Sequence, residues 1–239
     1  MNIAVIFAGG TGQRMNTRTK PKQFLELHGK PILVYVLERF QRHEQIDGIV
    51  VVCVKDWLDH CEDLVERYRL TKVSAVVPGG DTGQDSIFRG LSKAAELYPE
   101  SSIVLIHDGV RPLIDGKTIT DAVACTEENG SAVTVTPAIE TVTVKGDQGR
   151  MGQIIDRSRC QMARAPQCFR LGAILKAHRQ AQAEGLCDFI DSASLMDHYG
   201  CPLFTVEGPI ENIKITTPMD FYIFRAIEEA RENSQIFGL

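Results

Sequence analysis

Six charged residues of this 239-residue chain stand where they could handle a polyphosphate: Arg14, Lys22, Asp81, Asp108, Arg111 and Lys214. Arg14 and Lys22 follow a run holding Gly9, Gly10 and Gly12. Glycines let a backbone approach a ligand closely, and the exposed N–H groups of such a loop suit a phosphate. Arginine and lysine beside it add fixed positive charge. Asp81 lies in a second glycine-bearing turn, residues 78–86, and Asp108 and Arg111 lie in a third, His107-Asp108-Gly109-Val110-Arg111-Pro112. Lys214 sits between Ile213 and Ile215. Four cations against two carboxylates, with no dedicated general base, fit phosphoryl or nucleotidyl transfer, where positioning and charge stabilisation carry the reaction.

Commoner glycine-loop motifs do not fit this chain. A dinucleotide fingerprint fails, because starting from Gly10 its third glycine would be Met15. A P-loop needs Gly-Lys-Ser/Thr, and Gly12 is followed by Gln13-Arg14 instead. A plain structural turn would explain the glycines but not the cations that follow. Asp108 could be a turn aspartate bonding local backbone N–H groups. No HExxH, no GxSxG and no Cys/His set with metal-ligand spacing occurs, so no metal ligands are assigned.

The elements that must position these residues read as alternating strands and helices. Ile3 to Phe7 is a buried strand, and residues 31–42 carry apolar residues at helical spacing. Residues 48–54 are almost wholly apolar and β-branched, as in a strand buried on both faces. A helix follows over 57–68, then a strand over 73–77, and a helix over 87–98 capped by Asp85 or Ser86. A strand at 102–106, a helix at 118–128 and a strand at 132–136 continue the rhythm. The expectation is an α/β fold, a Rossmann-like, doubly wound and mostly parallel sheet. Ligands of such sheets bind outside the carboxyl ends of the strands, which gathers the three turns along one cleft. The rhythm breaks at 137–165, where residues 141–144 and 153–155 flank a polar turn and predict a projecting β-hairpin. Helices at 172–184 and 191–199, a strand at 202–206, a strand end at 212–216 and a helix from 217 to about 232 complete one domain over 1–239, with the arm at about 138–160.

Composition sets bounds. The net charge of −5 argues against a nucleic-acid binder, since no domain-wide basic excess neutralises phosphates. No apolar run approaches membrane-spanning length. The chain opens into a strand without a basic leader, and its seven cysteines are scattered and odd in number. Reduced thiols in a cytoplasmic protein are the expectation.

The run Ala8-Gly9-Gly10-Thr11-Gly12-Gln13-Arg14-Met15, then Pro21-Lys22-Gln23-Phe24 and Gly29-Lys30-Pro31-Ile32-Leu33, resembles nucleotidyltransferases that join a sugar phosphate to a nucleotide. Gly79-Gly80-Asp81, Asp85-Ser86, the 107–112 turn, Pro166-Gln167-Cys168-Phe169 and Asn212-Ile213-Lys214-Ile215-Thr216 narrow the likeness. Together they resemble the cytidylyltransferase family that includes the 2-C-methyl-D-erythritol 4-phosphate and ribitol-5-phosphate enzymes, over essentially the whole chain. The resemblance implies CTP and a small polyol phosphate as substrates, magnesium, and a homodimer built with the arm. It implies that Ala8, Gly9, Gly10 and Gly12 wrap CTP. Arg14 and Lys22 would bind the triphosphate and act in catalysis with Lys214. Gly80, Asp81 and Ser86 would contact the nucleoside. Asp108, Gly109, Arg111 and Lys214 would lie between the substrates, Gly109 on the nucleotide side. Thr141 and Arg157 would reach the acceptor's phosphate from the arm, across the dimer.

Departures bear on the acceptor. Ala165 stands where a threonine is usual, Gly83 and Gln84 where an arginine is frequent, and Gly109 for an alanine. Gly9-Gly10, Val110 and Glu140-Thr141 look more like the ribitol-phosphate enzymes. The expectation is therefore ribitol 5-phosphate ahead of methylerythritol phosphate. A nucleotide-binding protein without turnover is the reading from another class.

Overall fold

The computed structural model describes residues 1–10 and 20–237, the last four of these by backbone alone. Gly12 and Arg14 therefore lie outside the described residues. In chain order the structure runs β1 (Asn2–Ala8), β2 (Glu26–Leu27), β3 (Lys30–Pro31), α1 (Ile32–Arg42), β4 (Gly48–Cys53), α2 (Leu58–Arg67), β5 (Val73–Pro78), α3 (Gly83–Leu97) and β6 (Ile103–Asp108). It continues with α4 (Gly116–Asn129), β7 (Ser131–Pro137), β8 (Val142–Lys145), β9 (Met151–Ile155), β10 (Gln161–Arg170), α5 (Leu171–Ala183), α6 (Ser192–His198), β11 (Thr205–Glu207) and α7 (Pro218–Phe237).

Seven strands form one sheet in the order β11-β7-β10-β6-β1-β4-β5. β1 pairs in parallel with both β4 and β6, and β10 runs antiparallel to its neighbours β6 and β7. Strands β4 and β6 are buried at every residue, which is why their sequences are continuous apolar runs rather than alternating ones. Within β1 the pleat divides the load. Ala4 and Ile6 face a core shared with α1, α2 and α4, while Ile3 and Val5 face one shared with α3, α5 and α6. The expected sheet with helices on both faces is thus present.

The chain first winds from β1 outward to β5, then returns to lay β6 on the other side of β1. That reversal opens a crevice at the carboxyl ends of the central strands. The segments after β5 and β6 leave the sheet there, as do Gly9 and Gly10 after β1, and residues 11–15 of that first turn lie outside the described residues.

Several boundaries differ from expectation. Helix α3 begins at Gly83, because Thr82 caps it by accepting a hydrogen bond from the Asp85 N–H at 3.0 Å. Asp85 and Ser86 are therefore first-turn residues. Residues 212–216 form no strand; that loop is held by single bonds such as Ile215 N–H to Val110 O at 2.9 Å. β10, which the sequence left unassigned, is a ten-residue strand at the heart of the sheet. Pro166 gives its ladder no N–H, and the pairing with β7 shifts register between Ala163 and Gln167. The hairpin is present as β8 paired antiparallel to β9, in a two-stranded sheet of its own. A Gly116-Lys117-Thr118 run does open α4, but Arg111 stands where a P-loop needs its first glycine.

Helix α3 lies close on the sheet at Gly90, where an added Cβ would meet Val52 Cγ2 at 2.6 Å and Val5 Cγ1 at 2.7 Å. Both methyls belong to wholly buried residues of central strands and have nowhere to go. Gly90→Ala should therefore destabilise the chain by about 1–3 kcal/mol through overpacking, in spite of alanine's better helix propensity. A lowered urea midpoint at constant m-value would show it, and a raised midpoint would mean that the helix can lift.

Candidate active site

The site is assembled around Asp108, the last residue of β6. Arg111, three residues on, donates from Nε to Asp108 Oδ2 at 2.7 Å. The Lys214 ammonium sits 2.5 Å from Oδ1. Burial alone would raise this carboxyl's pKa, but the Lys214 and Arg111 charges outweigh it and hold it below the ordinary value. One buried carboxylate thus binds two cations that the sequence places 103 positions apart.

Lys214 reaches Asp108 because its loop is tied at both ends. Upstream, the buried Asn212 donates from Nδ2 to the Ala165 carbonyl at 2.7 Å. Its own carbonyl accepts from Arg111 Nη1 at 3.0 Å and from Arg164 Nη1 at 3.4 Å. Downstream, Asp220 accepts from the Thr216 and Thr217 N–H groups at 2.8 and 2.7 Å. Ile215 packs with Ile32, Val110, Leu113 and Phe224, which docks α7 behind the loop.

Behind Asp108, His107 is fully buried and donates from Nε2 to the Arg111 carbonyl at 3.1 Å. Burial pushes its pKa down to about 4. It is a neutral brace for the turn rather than an acid–base group.

Two cavities meet at this pair of charges. One, of about 470 Å³, is lined by Ala8, Gly9, Gly10, Lys22, Gly80, Asp81, Ser86 and Lys214 among others. The second, of about 560 Å³, is lined by Arg111, Arg164, Ala165, Gln167, His178, Ser192 and further residues. Phe7, Thr82, Gly83, Asp108 and Lys214 line both.

The first cavity collects the nucleotide-side candidates Ala8, Gly9, Gly10, Gly80, Asp81 and Ser86, while Gly109 lines neither cavity. Gln23, buried next to Lys22, donates to the Ala8 carbonyl and so fastens the 22–24 turn to the end of β1. Ser86 has a job the sequence did not reveal. Its buried hydroxyl accepts from the Gly80 N–H at 3.0 Å and donates to the Thr82 carbonyl at 2.9 Å, bracing the 79–86 loop. Gly9 and Gly79 leave room for it, since a Cβ on either would come within 3.2 or 3.1 Å of that hydroxyl. Gly109 also counts sterically: a Cβ there would meet Ala8 Cβ at 2.9 Å, so β6 and β1 can end side by side.

The arm candidates are placed differently. Thr141 and Arg157 are exposed and line neither cavity, and Arg157 donates to the Ile139 carbonyl within the arm. Residues that sequence reasoning missed are Gln23, Thr82, Arg164, Gln167, Ser192 and His178. Gln23, Gln167 and Asn212 stood inside quoted motifs, but nothing in those motifs announced their hydrogen bonds. Among the described residues no cluster of three or more His, Cys, Asp or Glu could hold a metal ion. No helix there is long and apolar enough to cross a membrane.

Comparison with known proteins agrees with this geometry. A family model described as IspD: 2-C-methyl-D-erythritol 4-phosphate cytidylyltransferase matches residues 2–229, so the chain belongs to that cytidylyltransferase family, a nucleotidyltransferase class. It is 56% identical over 239 residues, all of both chains, to a protein named ribitol-5-phosphate cytidylyltransferase from Streptococcus agalactiae. It is 39% identical to a 2-C-methyl-D-erythritol 4-phosphate cytidylyltransferase from Clostridium acetobutylicum, over 93% of this chain and 95% of that one. The crystal structure of 4-diphosphocytidyl-2C-methyl-D-erythritol synthase from Anaerococcus prevotii superposes with a TM-score of 0.82 at 28% identity, over 95% of this chain and 96% of that one.

Removing the central charge should be costly. Asp108→Asn leaves Arg111 and Lys214 facing each other, and loss of one partner of such a buried pair costs about 3–5 kcal/mol. The native carboxyl has a depressed pKa, so in acid the unfolded state binds its proton first, and the stabilisation falls away as pH drops through the folded value. Urea denaturation at neutral pH should show a much lower midpoint for Asp108→Asn, and the gap to the native chain should narrow in strong acid. A gap that does not change with pH would refute the charge-based account.

Proposed function

We propose that this chain transfers the cytidylyl group of CTP to the phosphate of D-ribitol 5-phosphate, giving CDP-ribitol and pyrophosphate. The observation that carries the reaction is the pair of cavities sharing a wall at Asp108 and Lys214. For the acceptor, the support is full-length identity to a protein named for ribitol 5-phosphate, closer than that to the methylerythritol relative quoted above.

The chemistry suits what the cleft contains. CTP occupies the cavity at Gly9, Gly10, Gly80 and Lys22, and the acceptor occupies the other. An anionic oxygen of the acceptor phosphate attacks the α-phosphorus in line, and the bond from that phosphorus to the bridging oxygen of the leaving pyrophosphate breaks. No proton has to be removed from the nucleophile, so the reaction requires no general base. Lys214, anchored by Asp108, stands between the two substrates, where charge accumulates on the transferring group. Lys22 serves the triphosphate side.

Magnesium is consistent with the residues present. Asp108 is committed to two cations, and the exposed Asp81 at the rim of the nucleotide cavity is left to touch a metal. That suits an ion held chiefly by water and substrate phosphates. Bound there, magnesium would offset charge on the phosphates.

The arm is read as a dimerisation element. Val144, Met151, Ile154 and Ile155 are exposed apolar side chains on its two strands, and a lone hairpin is marginal in water. A second copy of the chain would cover them and bring Thr141 and Arg157 toward the partner's acceptor cavity. Sedimentation equilibrium should give a dimer that Met151→Lys with Ile154→Lys dissociates; a native monomer at micromolar concentration would reject this.

Pyrophosphate release from CTP with ribitol 5-phosphate, methylerythritol 4-phosphate and related pentitol phosphates tests the reaction. Ribitol 5-phosphate should give the highest kcat/KM, and Lys22→Ala should lower kcat far more than it weakens CTP binding. Nucleotide binding with no release for any acceptor would make the chain a binding protein.

A further inference from the structure

The acceptor cavity contains two features that the reading above leaves unused. The first is Arg164. It lies at the register shift of β10, is partly buried, and lines the cavity beside Arg111 and Lys214. Arg111 and Lys214 both have Asp108. Arg164 pairs with no carboxylate among the described residues. Its Nε donates to Thr136 Oγ1 at 3.3 Å and its Nη1 to the Asn212 carbonyl at 3.4 Å, both neutral acceptors at long range. The other carboxylates of the cavity do not neutralise it. Asp191 spends its oxygens on the Ser194 N–H and the Gln167 amide, each at 2.8 Å, and Asp188 is exposed at the rim. Three cations therefore stand beside one buried carboxylate, and a guanidinium in that position is a ready fork for a phosphate.

The second feature is a pair of polar side chains without partners. Ser192 and His178 line the same cavity, and Ser192 Oγ and both ring nitrogens of His178 are buried and make no hydrogen bond. Burial pushes His178 down to about 4, so its ring is neutral and offers one donor and one acceptor. A polyol hydroxyl does both as well, and a buried polar atom left unmatched is costly. Ile87, Ile106 and Leu195 supply apolar wall between them for the carbon chain.

We infer that the acceptor lies in this cavity with its phosphate on Arg164, near Lys214, and its hydroxyl chain along Ser192 and His178. Arg164 is thus an acceptor-binding residue supplied by the same chain. The inference rests on the proposed transferase reading. It adds which residues select the acceptor and which way round it binds.

Steady-state pyrophosphate release tests it. Arg164→Ala should raise the KM for ribitol 5-phosphate about tenfold or more, as expected for losing a charged hydrogen-bond donor, with the KM for CTP within about twofold. Arg164→Lys should fall between, and added guanidinium ion should restore part of the loss. Ser192→Ala should raise the KM for ribitol 5-phosphate more than that for glycerol 3-phosphate, which has fewer hydroxyls to lose. Calorimetric CTP binding identifies correctly folded variants, and if Arg164→Ala fails that check, Arg164→Lys decides alone. An unchanged acceptor KM, or equal losses for CTP and acceptor, would overturn the inference while leaving the transferase reading intact. A native chain that releases no pyrophosphate with any polyol phosphate would overturn both.

Discussion

Everything in this site hangs on one buried carboxylate. Asp108 sits at the end of a strand with no exposed residue, and it holds a buried guanidinium and a half-exposed ammonium. Such a cluster contributes little net stability, because desolvating the carboxylate and the guanidinium offsets most of the attraction. What it contributes is position. Arg111 is held against the Asn212 carbonyl, and Lys214 is held at the boundary between two cavities. The loops at 107–112 and 212–216, far apart in sequence, become one surface.

The neighbouring elements read as supports for that surface. Asn212 spans from the Lys214 loop to the irregular middle of β10, so two walls of the larger cavity share a hydrogen bond. Gln23 ties the Lys22 turn to the end of β1, and Ser86 closes the 79–86 loop on itself. A Cβ at Gly109 would come too close to Ala8, and one at Gly9 or Gly79 would crowd the Ser86 hydroxyl. The glycine loops that first drew attention are therefore as much packing devices as phosphate cradles. The net charge of −5 does not oppose an anionic substrate, since the positive field is local and the dielectric low.

Legibility in the sequence followed the strength of the local signal. β4 and β6 were plain because strands covered on both faces must be apolar throughout. The start of α3 was misplaced by several residues because Asp85, Ser86 and Thr82 are all capable caps, and only the fold chooses among them. β10 escaped notice because Pro166 and a register shift interrupt a polar-looking segment, whose strand character comes from lying between β6 and β7. Residues 212–216 carry a strand-like pattern yet find no partner strand, and their apolar residues pack on α7 instead.

The sequence by itself determined the alternating architecture, the three turns at one sheet edge, the cations along them and the cytidylyltransferase family. These depend on hydrophobic runs, glycine spacing and motif residues, which are local properties. Only the tertiary structure decided that one carboxylate serves both Arg111 and Lys214, that Ser86 braces a loop, and that Arg164, Ser192 and His178 line one cavity beside them. The physical reason is that charge neutralisation and hydrogen-bond satisfaction are settled between residues scores of positions apart. A sequence lists donors, acceptors and charges, and packing decides which of them are left without a partner for a ligand to meet.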